Sequence, residues 1–332
     1  MRRLSPVVYV GIVTYNSARL MDVCFAALSR QIYPHIQIVV FDNHSSDNIA
    51  KLMRKYPHAR FIQSSKNVGY GRGHNSILRT IRFKNNDYYL TLNPDARLSP
   101  TYISRLVSSC RRHNAGWAVG KLHKDANKTA LYSAGHAMLR DGYAFNIGYG
   151  MKDGSQYSVS RKIFGAPGAA ALYSRALIRG LSKDGDFFDP ALFLYYEDID
   201  IDWRANLAGY ACWFEPSAVA IHKGGVAPSH MMGDILCNRF YVVMKNAFVS
   251  DLLTYNLPVI TFHLLARLVS TPLIGARMIG LCAVKAPVAL YKRTAARTSK
   301  SVMHQWFRAA KNEVSMQPKN IRERIKAFTT TR

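Results

Sequence analysis

The chain has 332 residues, 48% hydrophobic and 20% charged, which is enough to bury a full core and excludes a disordered tail. Lys and Arg number 45 against 20 Asp and Glu, a formal charge of +25, so three partner classes are open: nucleic acid, an anionic membrane surface or a phosphate-bearing substrate. The five Cys (Cys24, Cys110, Cys212, Cys237, Cys282) are odd in number and never spaced C-x-x-C, which excludes a disulfide scaffold and argues against a Cys-built zinc site.

Residues 7–13 (VVYVGIV) form a continuous apolar run suited to a buried parallel strand. Two Arg precede it, but no long apolar stretch or cleavage site follows, so no signal peptide is read and a reducing, cytoplasmic compartment is expected. Residues 17–31 carry apolar side chains at helical spacing, with Ser17 placed to cap the helix. A second strand is predicted over 36–43, a helix over 47–56 stopped by Pro57, and a third strand over 59–65. A helix over 71–83 and a fourth strand over 87–93 complete a strand–helix alternation, which argues for a mainly parallel sheet. In the middle, AGWAVGK and AVAIHKGG read as strands, GAPGAAALYSRALI as a loop entering a strand or helix, and YYEDIDIDWRANLAGY as an acidic loop running into a helix that Gly209 ends.

From Ile235 on the pattern is helical. Residues 252–332 hold 14 Lys or Arg and two Glu, and much of the stretch is apolar. Its uncharged runs are interrupted by Arg267, Arg277 and Lys285 and by Pro258, Pro272 and Pro287, so helices lying in a membrane interface are expected in preference to spanning ones. An ordinary basic helical subdomain is the plainer alternative.

Polar clusters follow each of the first four strands: TYN, DNHSSD, NVGYGRGHN and NPD. Ligands of such sheets sit at the carboxyl ends of the strands, although each cluster alone also reads as turn chemistry. Residues 67–75 place Gly69, Gly71 and Gly73 at alternate positions, with Arg72 able to offer charge to a diphosphate. His74 breaks the dinucleotide fingerprint, and no Walker A motif occurs. Asp95, of Asn93-Pro94-Asp95, is a natural Mg²⁺ or Mn²⁺ ligand beside a diphosphate, or a turn residue. Glu197, Asp198, Asp200 and Asp202 form the densest acid cluster of a basic chain, and their apolar flanks point to a partly buried carboxylate able to act as a general base. His222 reads equally as a metal ligand or a structural histidine.

These motifs in this order resemble family 2 glycosyltransferases of the GT-A fold, most closely a bacterial rhamnosyltransferase-like branch. The residues that carry the resemblance are VGIVTYN (10–16), VVFDNHSSD (39–47), NVGYGRGHN (67–75), LNPDA (92–96), GAPGAAALYSR (165–175), LYYEDIDIDWRANLAGY (194–210) and IHKGG (221–225). The resemblance implies an α/β domain over 1–245, a GT-A nucleotide-sugar-binding fold with a mainly parallel sheet flanked by helices. A helical, basic-apolar, membrane-associating region follows over 246–332. By position, Thr14, Tyr15, Asn16, Asp42 and Asn43 would line base and ribose, and Asn67, Gly69, Arg72, Asn75 and Asn93 would surround ribose and diphosphate. Asp95 would be the metal-binding acid and His222 the second ligand of a divalent cation, Mg²⁺ or Mn²⁺. Asp198 would be the catalytic base. Gly165, Ala166, Gly168 and Ala169, with Glu197 and Trp203, would shape the donor-sugar and acceptor pocket. The D-x-D position departs from the family pattern in carrying a single acid.

The implied reaction is an inverting displacement on a nucleotide-sugar, with dTDP-rhamnose the best guess for the donor and a lipid-linked or cell-envelope glycan as acceptor, at the cytoplasmic face of the inner membrane. Another nucleotide-sugar such as a UDP-sugar, a non-catalytic membrane-surface scaffold, a nucleotidyltransferase and a nucleic-acid-binding protein are the rivals. No nucleic-acid motif is found.

Overall fold

A computed structural model describes residues 5–84, 86–224, 231–316 and 322–323. They fall into two compact units, one of residues 5–136, 146–205 and 210–224, the other of 137–145, 206–209 and the described residues from 231 on.

The first unit opens as its apolar periodicity requires. β1 (Val8–Thr14) is buried along its whole length. α1 (Ala18–Ser29) crosses to β2 (Ile36–Asp42), α2 (Ile49–Met53) to β3 (Arg60–Gln63), and α3 (Tyr70–Leu78) to β4 (Tyr88–Thr91). Ser17 holds the cap position of α1 without capping it: its backbone is not in the extended cap conformation, and its hydroxyl donates to Tyr15 O. Asp47, from the next crossover, takes the Ala18 N–H at 2.7 Å instead. α2 is shorter than predicted because the chain tightens into i−3 turns through Tyr56.

β5 (Ala96–Leu98), α4 (Tyr102–His113), β6 (Trp117–His123) and β7 (Leu131–Ser133) follow, then a ribbon of β8 (His136–Met138) and β9 (Ala144–Asn146). β10 (Arg161–Ile163), β11 (Ala171–Ser174), α5 (Arg175–Leu181), α6 (Glu197–Leu207) and β12 (Cys212–His222) complete the unit. The sheet order is β10-β12-β6-β11-β4-β1-β2-β3, with β5 on β12 and β7 on β6. β3, β2, β1 and β4 are mutually parallel, as the alternation predicted. β11 is inserted antiparallel between β4 and β6, and β12 runs parallel to β6. β1, β2, β4, β6 and β12 therefore all end on one side. The β5–β12 register, Ala96 opposite His222, brings the residue after Pro94 to the end of β12.

In the second unit α7 (Met232–Asn246) is buried on nearly every side. α8 (Val249–Asp251) continues through a π-helical turn, Leu252–Asn256, into α9 (Leu257–Ser270); α10 (Pro272–Tyr291) and α11 (Lys300–Met316) follow. α7, assigned by the sequence to the first domain, packs on α10 and lies in this unit. Asp251 accepts from Arg140 (2.6 Å), Lys300 (3.0 Å) and His304 (2.8 Å), and Asp141 pairs with Arg239 at 2.6 Å. The prolines break the helices less than expected. Pro272 takes the first position of α10, where a missing N–H costs nothing, whereas Pro258 follows the π-helical turn within the continuous helix and Pro287 is interior to α10. Val249–Ser270 and Pro272–Tyr291 thus run 22 and 20 residues, each with an 18-residue stretch of mean hydropathy 1.4 and 1.6 respectively, long and apolar enough to cross a membrane by length and composition.

Candidate functional site

The site is built at the strand ends of the first unit. At its nucleotide half, Thr14 and Asp42 are partners in the β1–β2 register, and both are buried. The Thr14 hydroxyl oxygen has no hydrogen-bond partner. Tyr15 is 52% exposed, and Asn16 has φ +50 and ties the turns together by accepting from Ser46 N. The Asp42 carboxylate accepts from Ser45 N at 3.0 Å. Asn43 is a brace: its Oδ1 accepts from Val68 N at 2.7 Å and its Nδ2 donates to Gly69 O at 3.3 Å, which fixes the glycine-rich loop.

That loop needs Gly69. Its φ is +87, and a Cβ there would lie 2.3 Å from Phe193 O, which instead accepts the Tyr70 N–H at 2.9 Å. Asn67 Oδ1 accepts from Gly69 N. The two remaining polar residues expected around the diphosphate are committed elsewhere in this state. Arg72 Nε donates to Pro190 O at 2.8 Å. The Asn75 carboxamide is used at both ends on the Phe188 backbone (2.8 and 2.9 Å), a placement that differs from the expected ligand role.

Asp95 and His222 meet. Asp95 Oδ1 lies 3.1 Å from His222 Nε2, and Asp95 Oδ2 accepts from Gly224 N at 3.2 Å. Asn93 Nδ2 is 3.2 Å from the same Nε2, while Asn93 Oδ1 is buried without a partner. Burial pushes the Asp95 carboxyl up, but the hydrogen bond and charge of His222, helped by the amides of Asp95 and Gly224, outweigh it and hold it below the ordinary carboxylate range. No group of three His, Cys, Asp or Glu side chains converges among the described residues. One carboxylate, one imidazole and one free amide oxygen nevertheless fit a hard divalent cation whose other ligands come from phosphate oxygens and water.

The acid cluster of α6 divides by environment. Asp200 binds Arg204 Nε at 2.7 Å, and Arg204 also donates to Leu181 O and Phe187 O, so this pair is internal bracing. Asp202 is fully buried and accepts from Trp117 Nε1 (3.0 Å), Ala166 N (3.1 Å) and His136 Nδ1 (2.8 Å). Gly165 is required for this, since a Cβ there would fall 1.9 Å from Asp202 Oδ2. Burial pushes Asp202 up to about 6 while His136 pulls it down. Asp198 keeps 21% of its side chain exposed and accepts from Gly168 N at 3.0 Å and Ile199 N at 2.9 Å. Glu197 is buried, its Oε2 has no hydrogen-bond partner, and burial, then the charge of Asp198, pushes it up to about 8. Trp203, expected at the sugar pocket, is 2% exposed and belongs to the core.

One loop links the two halves. Ala169 O accepts from Asn93 N at 2.9 Å, beside Asp95, and the preceding Gly168 donates its N–H to Asp198. Tyr70 OH donates to Gly168 O at 2.8 Å from the glycine-rich helix. Tyr132, absent from the sequence reading, sits between the carboxylates. Its ring lies edge-on to His222 at 4.4 Å, and burial followed by the charges of Asp198 and, more weakly, Asp95 pushes its phenol up. The segments that carry Asp95 and Asp198 thus grip adjacent residues, 169 and 168. His136 was also missed; nothing in its local sequence marks it, because its partners lie on α6. A separate cavity of about 410 Å³, lined in part by Tyr9, Ile36, His58, Arg60 and Arg82, opens at the amino ends of β1–β3, the end of such a sheet that does not bind ligands.

The model of "Glycosyl transferase family 2" matches residues 9–181. An N-acetylglucosaminyl-diphospho-decaprenol L-rhamnosyltransferase of Mycobacterium tuberculosis is 23% identical over 253 residues, 66% of this chain and 76% of that protein. The structure resembles GalNAc-T7 with UDP, GalNAc and Mn²⁺ (TM-score 0.56, 14% identity) over 73% of this chain, which spans about half of that one (48%). It also resembles the mannosyltransferase PcManGT of Pyrobaculum calidifontis with GDP-Man and Mn²⁺ (TM-score 0.50, 16% identity), over 93% of this chain and 85% of that one. The fold is that of GT-A glycosyltransferases. With the family model covering more than half of its length, the chain belongs to glycosyl transferase family 2.

Proposed function

We propose that the protein transfers a sugar, with inversion, from a nucleotide-sugar to a lipid-linked glycan acceptor, and that the donor is dTDP-rhamnose. The observation that carries this reading is the single loop, 165–170, gripped by Asn93 next to Asp95 on one side and by Asp198 on the other. The similarity to a rhamnosyltransferase acting on a diphospho-decaprenol supports the choice of donor and of acceptor class.

Asp198 removes the proton of the acceptor hydroxyl. The oxygen forms its bond to the anomeric carbon as the bond to the diphosphate breaks, and the proton stays on Asp198. Two backbone N–H groups, Gly168 and Ile199, donate to that carboxylate and hold it in place. Asp95 and His222 would hold a divalent cation, which would supply positive charge to the departing diphosphate. Thr14, Asp42 and Asn43 form the floor of the nucleotide end. The acceptor is taken from a membrane surface to which α9 and α10 bind.

The test is a thermal-shift titration of the full chain with dTDP-rhamnose and with UDP-sugars, in Mn²⁺ or Mg²⁺ and then in chelator, followed by a transfer assay. dTDP-rhamnose should raise the melting temperature most, the rise should need the cation, and Asp95→Ala should lose it. Asp198→Asn should keep the rise and lose about 10²–10⁴-fold in transfer. A preference for a UDP-sugar would replace the donor. Wild-type turnover by Asp198→Asn would end the assignment of the base.

A further inference from the structure

His136 is the one imidazole in contact with the acid cluster of α6 among the described ionic contacts. It is 5% exposed, and its backbone N–H donates to Gly165 O at 2.8 Å, so the ring starts from a fixed place. Its Nδ1 is 2.8 Å from Asp202 Oδ2, and its Nε2 points the other way, 4.0 Å from Asp198 Oδ2. Asp202 accepts two further N–H groups, from Trp117 and Ala166, an arrangement that suits an ionised carboxylate. The imidazole therefore spans the gap between a deeply buried acid and the partly exposed one.

We propose that His136, anchored by Asp202, is a positioning residue that places a positive charge behind the Asp198 carboxylate and keeps it ionised for proton removal. The inference rests on the reading of Asp198 as the base. It also explains an asymmetry within one helical turn. Glu197 and Asp198 are adjacent acids, and repulsion between them would favour protonating one. A cation beside Asp198 directs the proton to Glu197.

The groups facing the ring are few. Asp202 and Asp198 come from α6; Tyr132 of β7 and Tyr173 of β11 lie within reach of those carboxylates, and burial holds both phenols well above their usual range. Burial works against a charge on His136, but the hydrogen bond to Asp202 and the charges of Asp198 and Asp202 outweigh it and raise the imidazole above its ordinary value.

Two measurements test this on the full chain. In the first, the pH profile of kcat/KM is recorded with dTDP-rhamnose and a polyprenyl-diphosphate-linked acceptor for wild type, His136→Gln and Asp202→Asn. Removing a nearby cation raises the pKa of a carboxylate, so the acid limb should move up by about one pH unit in both variants, with kcat down about 10- to 100-fold and donor KM unchanged. A fall in kcat with the limb unmoved would mean a merely structural role and would overturn the proposal. The second measurement needs no substrate and no His136 variant to be active: the ¹⁵N imidazole titration of His136 in wild type and Asp198→Asn. The midpoint should drop by about half a unit or more when the Asp198 charge is removed. An unchanged midpoint would show that the two groups do not interact. Full turnover by Asp198→Asn would instead remove the underlying reading, and this inference with it.

Discussion

Glu197 and Asp198 are neighbours in sequence and opposites in environment. Asp198 reaches solvent and accepts two backbone N–H groups, whereas Glu197 is buried with one oxygen unpartnered. The folded pKa of Glu197, about 8, lies above its ordinary 4.5, so the stability tied to the protonated form is fully present below pH 4.5 and is lost as pH rises through 8. Glu197→Gln should therefore stabilise the protein more at pH 8 than at pH 5, by up to about 3 kcal/mol in urea denaturation. An equal effect at the two pH values would show that this carboxyl titrates as in water. The backbone adds to the same picture: Tyr195 and Tyr196, with φ of +67 and +72, enter α6 in the left-handed region, where each non-glycine residue costs roughly 1 kcal/mol or more. Asp95 and His222 stand out in the sequence because short polar motifs follow recognisable strands, and Asp198 because it lies in the densest acid run of a basic chain. His136 and Tyr132 were not, since each lies on a three-residue strand and meets its partners only through tertiary packing.

Among the elements, the parallel half of the sheet could be read directly. A strand buried on both faces gives an unbroken apolar run, as in 7–13, β2 is buried from Val39 on, and the helices between them keep their period. β7, β8, β9 and β10 could not be read, because three residues carry no periodicity and their pairing is decided by distant segments. At the helical end, Pro272 looks like a break in the sequence but stands at the first position of a helix, where it is tolerated. The α9–α10 corner shows how closely these helices meet. A Cβ on Gly275 would lie 2.5 Å from the Leu268 backbone, whereas one on Gly280 would meet nothing within 4 Å. Gly275→Ala should cost about 1–3 kcal/mol in thermal denaturation, and Gly280→Ala should be neutral or stabilising by up to about 1 kcal/mol. Matching effects from the two would mean that the corner is loose.

For the whole molecule, charge and exposed apolar surface occur together. Val269 (84% exposed), Leu273 (89%) and Val284 (73%) stand on helices of which 17% and 22% is buried, and Arg267, Arg277 and Lys285 are interspersed. We propose that these helices lie in an anionic membrane surface, apolar side chains in the acyl boundary and basic ones toward headgroups. The full chain should then float with anionic liposomes, Val269→Glu with Leu273→Glu should weaken binding at least about tenfold, and 0.5 M salt should reduce it without abolishing it. Binding that vanishes in salt and ignores the double variant would be charge alone, and comparable retention on duplex DNA would then favour the nucleic-acid reading.

The segment from Gly165 to Ala170 acts as a ruler. Asn93 holds it at residue 169 and Asp198 at residue 168, so adjacent residues are tied to two separate segments of the chain. Surface loops generally tolerate changes of length. Here a residue inserted between 168 and 169 would leave one grip in place and slide the other by about 3.8 Å, the spacing of neighbouring Cα atoms. The junction of these two residues is therefore closed to insertion, whatever side chains surround it.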